Sequence, residues 1–182
     1  GRTINGAMDY TYDRDSGELQ FNLDYELAGV EASRLHLQAS GISTAGIMGL
    51  GKPPILQQLH LTRNIQPGYM KQIVTMCAAN SGQPPAQFIA GLVAQPASHY
   101  LQTFGFIPGP GLKTMLKQLI THAGELEIMA APATGINPAT LSAYNPGDLV
   151  DLLGVSVSYN GKPVTDLSFS TRLETPSSSA TA

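Results

Sequence analysis

Between Glu18 and Leu27 the chain alternates without a break. Leu19, Phe21, Leu23, Tyr25 and Leu27 are apolar, and Glu18, Gln20, Asn22, Asp24 and Glu26 between them are polar. A period of two places successive side chains on opposite faces of a strand, so this stretch demands a sheet with one face wet and one face buried. Met8, Tyr10 and Tyr12 alternate in the same way with Asp9, Thr11 and Asp13 before it, and Asp13-Arg14-Asp15-Ser16-Gly17 supplies turn chemistry between the two runs. Leu35 to Ala39 resumes the pattern after Ala28-Gly29, and Leu59, Leu61 and Arg63 suggest a further strand. An antiparallel meander of this kind needs an apolar layer against its dry face.

The stretch Pro67 to Gly124 can provide that layer. Pro67 is suited to the first turn of a helix, and Tyr69, Met70, Ile73, Val74 and Cys77 follow at helical spacing until Asn80-Ser81-Gly82. A second helix starts near Pro84 or Pro85 and aligns Phe88, Ile89, Leu92 and Val93. Pro96 interrupts it, because a proline inside a helix costs about 3 kcal/mol, and leaves Tyr100, Leu101 and Phe104 for a short continuation. After Pro108 and Pro110, the residues Leu112, Met115, Leu116, Leu119 and Ile120 form the clearest helical stripe in the chain. Strand pattern returns at Glu125 to Ala131. The pairs Asn137-Pro138 and Asn145-Pro146 then open two short helices. Val155, Val157 and Tyr159 run into the hairpin signal Asn160-Gly161, and Leu167, Phe169, Thr171 and Leu173 are expected to form the returning strand.

The expected fold is therefore α+β: an antiparallel sheet from the N-terminal meander and the C-terminal hairpin, covered on one face by a central run of helices. Residues 1–175 are expected to form one domain. The Ser/Ala/Thr-rich tail, 176–182, is expected to be disordered.

The chain has 182 residues and a net charge of −3, and 13% of its residues are charged against a typical ~25%. The charge is spread along the chain, which leaves no basic stripe for nucleic acid. No window approaches 18 consecutive apolar residues, so no transmembrane segment is expected. Cys77 is the sole cysteine and sits among helical apolar residues, where it reads as a small core hydrophobe.

Motifs for catalysis are incomplete. Gly46-Ile47-Met48-Gly49-Leu50-Gly51-Lys52 matches the start of a phosphate-binding loop, but Pro53 stands where a hydroxyl must meet Mg²⁺, and Gly41 to Pro54 reads as a loop. His36, His60, His99 and His122 lack metal-ligand spacing, and His36 and His60 belong on polar strand faces. No cofactor and no metal is expected. A groove at the proline breaks, lined by Tyr69, Met70, Phe88, Leu92, Tyr100, Phe104 and Met115, is the candidate site for an apolar ligand or a partner segment.

One resemblance follows from the C-terminal half. Glu125-Leu126-Glu127-Ile128-Met129-Ala130-Ala131-Pro132, the two Asn-Pro helices, and Gly154 to Pro163 with its Asn-Gly turn resemble β-rich Gram-negative periplasmic proteins tethered to the inner membrane, in the style of the AsmA-like and YdgA-like families. The resemblance implies a place in the cell envelope and an N-terminal anchor outside this sequence. The expected function is non-catalytic: a periplasmic domain binding a protein partner or a lipid-like apolar ligand between helices and sheet. Its rivals are a hydrolase with a composite Ser or Cys/His site, drawn from the Gly41 to Pro54 loop with His99 or His122, and a purely structural module.

Overall fold

A computed structural model describes residues 3–173; the expected tail lies outside the described residues. The chain forms an α+β fold around a seven-stranded antiparallel sheet, its strands in the spatial order Ile4–Asp13, Glu18–Leu27, Glu31–Ser40, Ile55–Ile65, Gly124–Ala130, Val155–Tyr159 and Lys162–Pro163. The meander supplies β1 (Ile4–Asp13), β2 (Glu18–Leu27), β3 (Glu31–Ser40) and β4 (Ile55–Ile65). Asp13 closes the first turn, its Oδ1 accepting from the N–H groups of Asp15 and Ser16. Those backbone bonds hold its carboxyl below the usual range. The Gly41 to Pro54 segment contains a short helix, α1 (Thr44–Ile47), where the sequence suggests only loop. Ser43 caps it by accepting from the Gly46 N–H at 3.0 Å.

Helices α2 (Pro67–Asn80), α3 (Pro85–Val93), α4 (Ala97–Phe104) and α5 (Pro110–His122) follow, bounded by the prolines that the sequence marks. They are inserted between neighbours in the sheet: β4 ends at Ile65, β6 (Gly124–Ala130) begins at Gly124, and these two residues face each other. Helices α2, α3 and α5 pack on one another. The stripe on α5 faces this cluster but is only half-buried along its length. Cys77 is likewise half-covered rather than sealed in the core.

The C-terminal part departs furthest from expectation. The Asn-Pro pairs open 3-10 turns, Pro138–Ala143 and Pro146–Asp148, the second continuing into α6 (Leu149–Leu152). Asn137 caps its turn through the Ala139 N–H. Strand β7 (Val155–Tyr159) turns at Asn160-Gly161 as expected, but the returning strand β8 is only Lys162–Pro163. Leu167, Phe169, Thr171 and Leu173 do not extend it. Phe169–Ser170 forms β9 against β5 (Ile107–Pro108), beside the start of α5.

The physical reason is a cap supplied from a distance. The first N–H groups of a helix have no partner within it, and Asp166 Oδ2 accepts from the Gly111 N–H at 3.2 Å while the Ser168 carbonyl accepts from the Gly109 N–H at 2.8 Å. The Val164 N–H still donates to the Val157 carbonyl of β7, and these bonds then draw residues 165–170 off the sheet and across the N-terminus of α5. Both glycines are needed for the approach, since a Cβ on Gly109 would collide with Ser168 and one on Gly111 with Asp166. The hydrogen bonds from Ser168, and then the Gly111 N–H, keep the Asp166 carboxyl below its ordinary range.

Gly111→Ala should therefore lower the melting temperature by several degrees, corresponding to an overpacking cost of about 1–3 kcal/mol. Gly68→Ala, where nothing stands within 4 Å of the new methyl group, should not. Because the folded Asp166 pKa is depressed, its contribution is complete above the unfolded carboxylate range and is lost as pH falls through the folded value. Thermal melts from pH 7 to pH 3 should show this acid-linked loss shrinking in Asp166→Asn.

Candidate functional site

Strand register sorts the sheet into one apolar and one polar face. One apolar row reads Tyr10, Phe21, Leu37, Leu59, Ala130, Val155 from β1 to β7, and the next reads Met8, Leu23, Leu35, Leu61, Ile128, Val157. Coverage is graded along these rows. Ala130 and Val157 are each 9% exposed, Phe21, Leu37 and Leu61 are half-buried, and Tyr10 and Met8 are 68% and 66% exposed. Ile4 and Tyr12, on the same face of β1, are exposed as well. The helices thus leave the β1 side of the apolar face open to solvent.

The covered side is fixed by Tyr159, whose hydroxyl donates to the carbonyls of Ala123 and of Gln118 at the end of α5. Glu31 is a charged residue on the apolar face, and Arg63 of the same face neutralises it. Burial pushes its carboxyl up, but hydrogen bonds from the Tyr25 hydroxyl and from Arg63, together with the Arg63 charge, outweigh this and leave it lowered.

The residues expected to line a groove are placed differently from one another. Tyr100 is 1% exposed and its hydroxyl donates to the carbonyls of Val93 at 2.9 Å and Leu92 at 3.3 Å, closing the end of α3. It is a structural residue of the α3–α4 corner, and burial pushes its phenol pKa up. Phe104 is 57% exposed and Leu92 is also exposed, while Tyr69, Met70, Phe88 and Met115 are half-buried. At the proline breaks the structure assembles an aromatic run, Tyr100–Phe104–Phe106–Phe169, with successive centroids 6.1, 6.4 and 5.8 Å apart. Lys113 Nζ lies 5.2 Å from the Tyr100 ring centroid. Phe106 and Phe169 were missed by sequence reasoning. Phe106 sits just past the left-handed Gly105 that ends α4, a signal available in the sequence; Phe169 arrives only through the rerouted C-terminal segment. A separate open cleft of about 440 Å³, lined by Pro67, Lys71, Val74, Ile89 and Ile120 among others, lies between α2, α3 and α5 and uses none of the expected groove residues.

On the polar face, His36 and His60 are directly opposite each other in β3 and β4. Each is held from the outer side. Asn22 Oδ1 lies 2.6 Å from His36 Nδ1, and Asn22 in turn donates to Asp9; Glu127 Oε1 lies 2.8 Å from His60 Nε2 and accepts from Ser158 at 3.0 Å through its other oxygen. The His60 bond, then that of Ser158, lowers the Glu127 pKa. The hydroxyl here addresses the carboxylate rather than the imidazole, which is not the order in which a base activates a nucleophile. Ser43 Oγ accepts from Gly46 and Ser81 Oγ donates to the Cys77 carbonyl, while His99 and His122 are exposed. Among the described residues no group of three His, Cys, Asp or Glu side chains is placed to hold a metal ion, and no helix is long and apolar enough to cross a membrane.

The division of roles at the α3–α4 corner can be checked directly. Tyr100→Ala should cost about 3–5 kcal/mol, as truncation of a buried aromatic does, whereas Phe104→Ala should cost under about 1 kcal/mol in urea unfolding because most of that ring already meets water.

No curated protein and no solved structure matches the chain. A family model described as "Uncharacterized protein" matches residues 15–160, from the β1–β2 turn to the end of β7. That span is well over half of the sequence, and the chain belongs to this family of uncharacterized proteins.

Proposed function

We propose that this is a non-catalytic domain of the cell envelope that binds a partner protein through the apolar face of its N-terminal meander. The observation that carries the reading is the gradient of coverage: Ile4, Met8, Tyr10 and Tyr12 lie on one face and are all exposed, while the Met8 row ends in buried Val157 and the Tyr10 row in half-buried Val155 at β7. Contiguous apolar surface of this kind marks a place where another surface docks. A flat, open face suits a polypeptide better than a small molecule, which needs a concave site enclosing most of its surface. The low charge content and the resemblance of the C-terminal half support the envelope setting.

A second reading, uptake of a lipid-like ligand, is favoured by a different feature, the exposed Phe104 and Phe106 in the aromatic run. The two readings separate in one experiment. A photo-crosslinking amino acid replacing Tyr10, in the cell of origin, should capture a defined polypeptide identifiable by mass spectrometry, and one replacing Arg34 on the polar face should not. Capture of phospholipid alone, at Tyr10 or at Phe104, would overturn the partner reading in favour of the carrier.

A further inference from the structure

The backbone of β1 carries information that its side chains do not. In an antiparallel pair, residues alternate between those that exchange both hydrogen bonds with the neighbour and those whose N–H and C=O point away. The Ala28 N–H donates to the Thr3 carbonyl at 3.0 Å, and the Gly17 N–H to the Asp13 carbonyl at 2.8 Å. Odd-numbered residues of β1 therefore face β2. Ile4, Gly6, Met8, Tyr10 and Tyr12 direct their backbone groups outward, and among the described residues no strand lies beyond β1. Natural edge strands are blunted by proline, lysine, a bulge or short length. This one has no proline, lysine or bulge and carries charge only at Asp9 and Asp13: it is 10 residues long, INGAMDYTYD, and pairs with β2 without a break in register.

We propose that β1 pairs antiparallel with β1 of a second copy of this chain, making one sheet that continues across a two-fold axis. This rests on reading the meander as a docking surface and names its occupant. The register follows from the outward residues, which must pair with one another. Placing Met8 opposite the second copy's Met8 sets Gly6 against Tyr10 and Ile4 against Tyr12, and engages every outward backbone group from Ile4 to Tyr12. Tyrosine across from glycine is a favourable cross-strand arrangement, the ring covering the gap that glycine leaves. On the polar face the same register sets Asp9 against Ala7 and Asn5 against Thr11, and Asp9 is already turned toward Asn22 of its own protomer. Moving the strands by one step in one direction brings Asp9 directly opposite Asp9, a repulsive pair. A step in the other direction sets Tyr12 against Arg2, outside the described residues, and engages one fewer described pair.

The two apolar faces would then be continuous, because even-numbered residues meet even-numbered residues. The pairing is isologous and closes after two copies, since each molecule has one long free edge and the other edge, β8, is 2 residues long. An edge of this length spans about 34 Å. Pairing it buries on the order of 1,000 Å² in total, at the low end for specific association, so the dimer is concentration-dependent.

Sedimentation velocity of the intact chain should show the mass rise from 19.2 kDa to about twice that as concentration passes through the micromolar range. Met8→Pro removes an outward N–H but no bond to β2, and should leave the protein monomeric at every concentration with its far-UV circular dichroism spectrum intact. The register is read separately by disulfides in a Cys77→Ser background. Directly opposed residues in a hydrogen-bonded pair have Cα atoms about 5.5 Å apart, within disulfide range, so Met8→Cys should give a covalent dimer under mild oxidation. Tyr10→Cys, set against Gly6, should not. A wild-type chain that stays monomeric to high concentration overturns the proposal, as does equal crosslinking of the two cysteine variants. If the chain is monomeric while the Tyr10 photo-crosslinker still captures a different polypeptide, self-pairing fails and the partner-binding reading stands.

Discussion

The closure of β4 against β6 is the constraint on which the rest depends. The chain leaves the sheet at Ile65, builds four helices, and must return at the residue directly opposite, Gly124. Two features make that return possible. Ala123 adopts φ 56°, ψ −149°, a region costly to any residue with a Cβ, and Gly124 follows at φ 106° with Asn160 so close that any side chain would strike its amide. The opposing gain is local: the Tyr159 hydroxyl binds the Ala123 carbonyl, Asn160 Oδ1 accepts from the Glu125 N–H at 2.8 Å, and Ala123 is fully buried. The C-terminal hairpin thus locks the exit of the helical insert, which ties two distant parts of the sequence into one junction.

That junction also explains the uneven cover of the sheet. Helices anchored at the β4–β6 end and held by Tyr159 of β7 protect that side of the apolar face, and four helices of 8–14 residues do not extend the same protection to β1. Each large apolar side chain left in water forgoes roughly 1.5–3 kcal/mol of burial. Ile4, Met8 and Tyr10 together hold several kcal/mol that folding of the described residues does not use and that association can.

Much of this was legible in the sequence because prolines and glycines punctuate it. Pro67, Pro85 and Pro110 each stand at a helix start and Gly82 and Gly105 at helix ends, since their backbone restrictions act locally. The two-residue alternation located β2 to the residue, found β1 from Met8 to Asp13 but not its first four residues, and placed His36 and His60 on the polar face. What alternation cannot encode is how far a layer reaches: Leu23 and Met8 have the same pattern, yet one is half-buried and the other exposed. Nor could it show that Asp166 would serve α5 rather than a strand. The run Leu167 to Leu173 alternates well, but the unsatisfied N–H groups of a helix 55 residues away in sequence compete for it and win. The expected groove residues are not placed as one set for a related reason. Helical spacing aligned Tyr100 with Phe104, but only the corner with α3 buries the first and leaves the second outside.

The two faces of the sheet finally differ in what they still require. On the polar face the side chains satisfy one another across strands: Asp9 with Asn22, Asn22 with His36, His60 with Glu127, Glu127 with Ser158, and Arg34 with Asp24 at 2.8 Å. Half-exposed pairs of this kind are individually worth little. No buried side-chain polar atom among the described residues lacks a hydrogen bond. The apolar face and the free edge of β1 are the opposite case, with surface and backbone groups that water serves less well than a second strand would. The surface that folding leaves unserved therefore lies where the cover runs out, on β1, rather than where the titratable groups are most densely arranged.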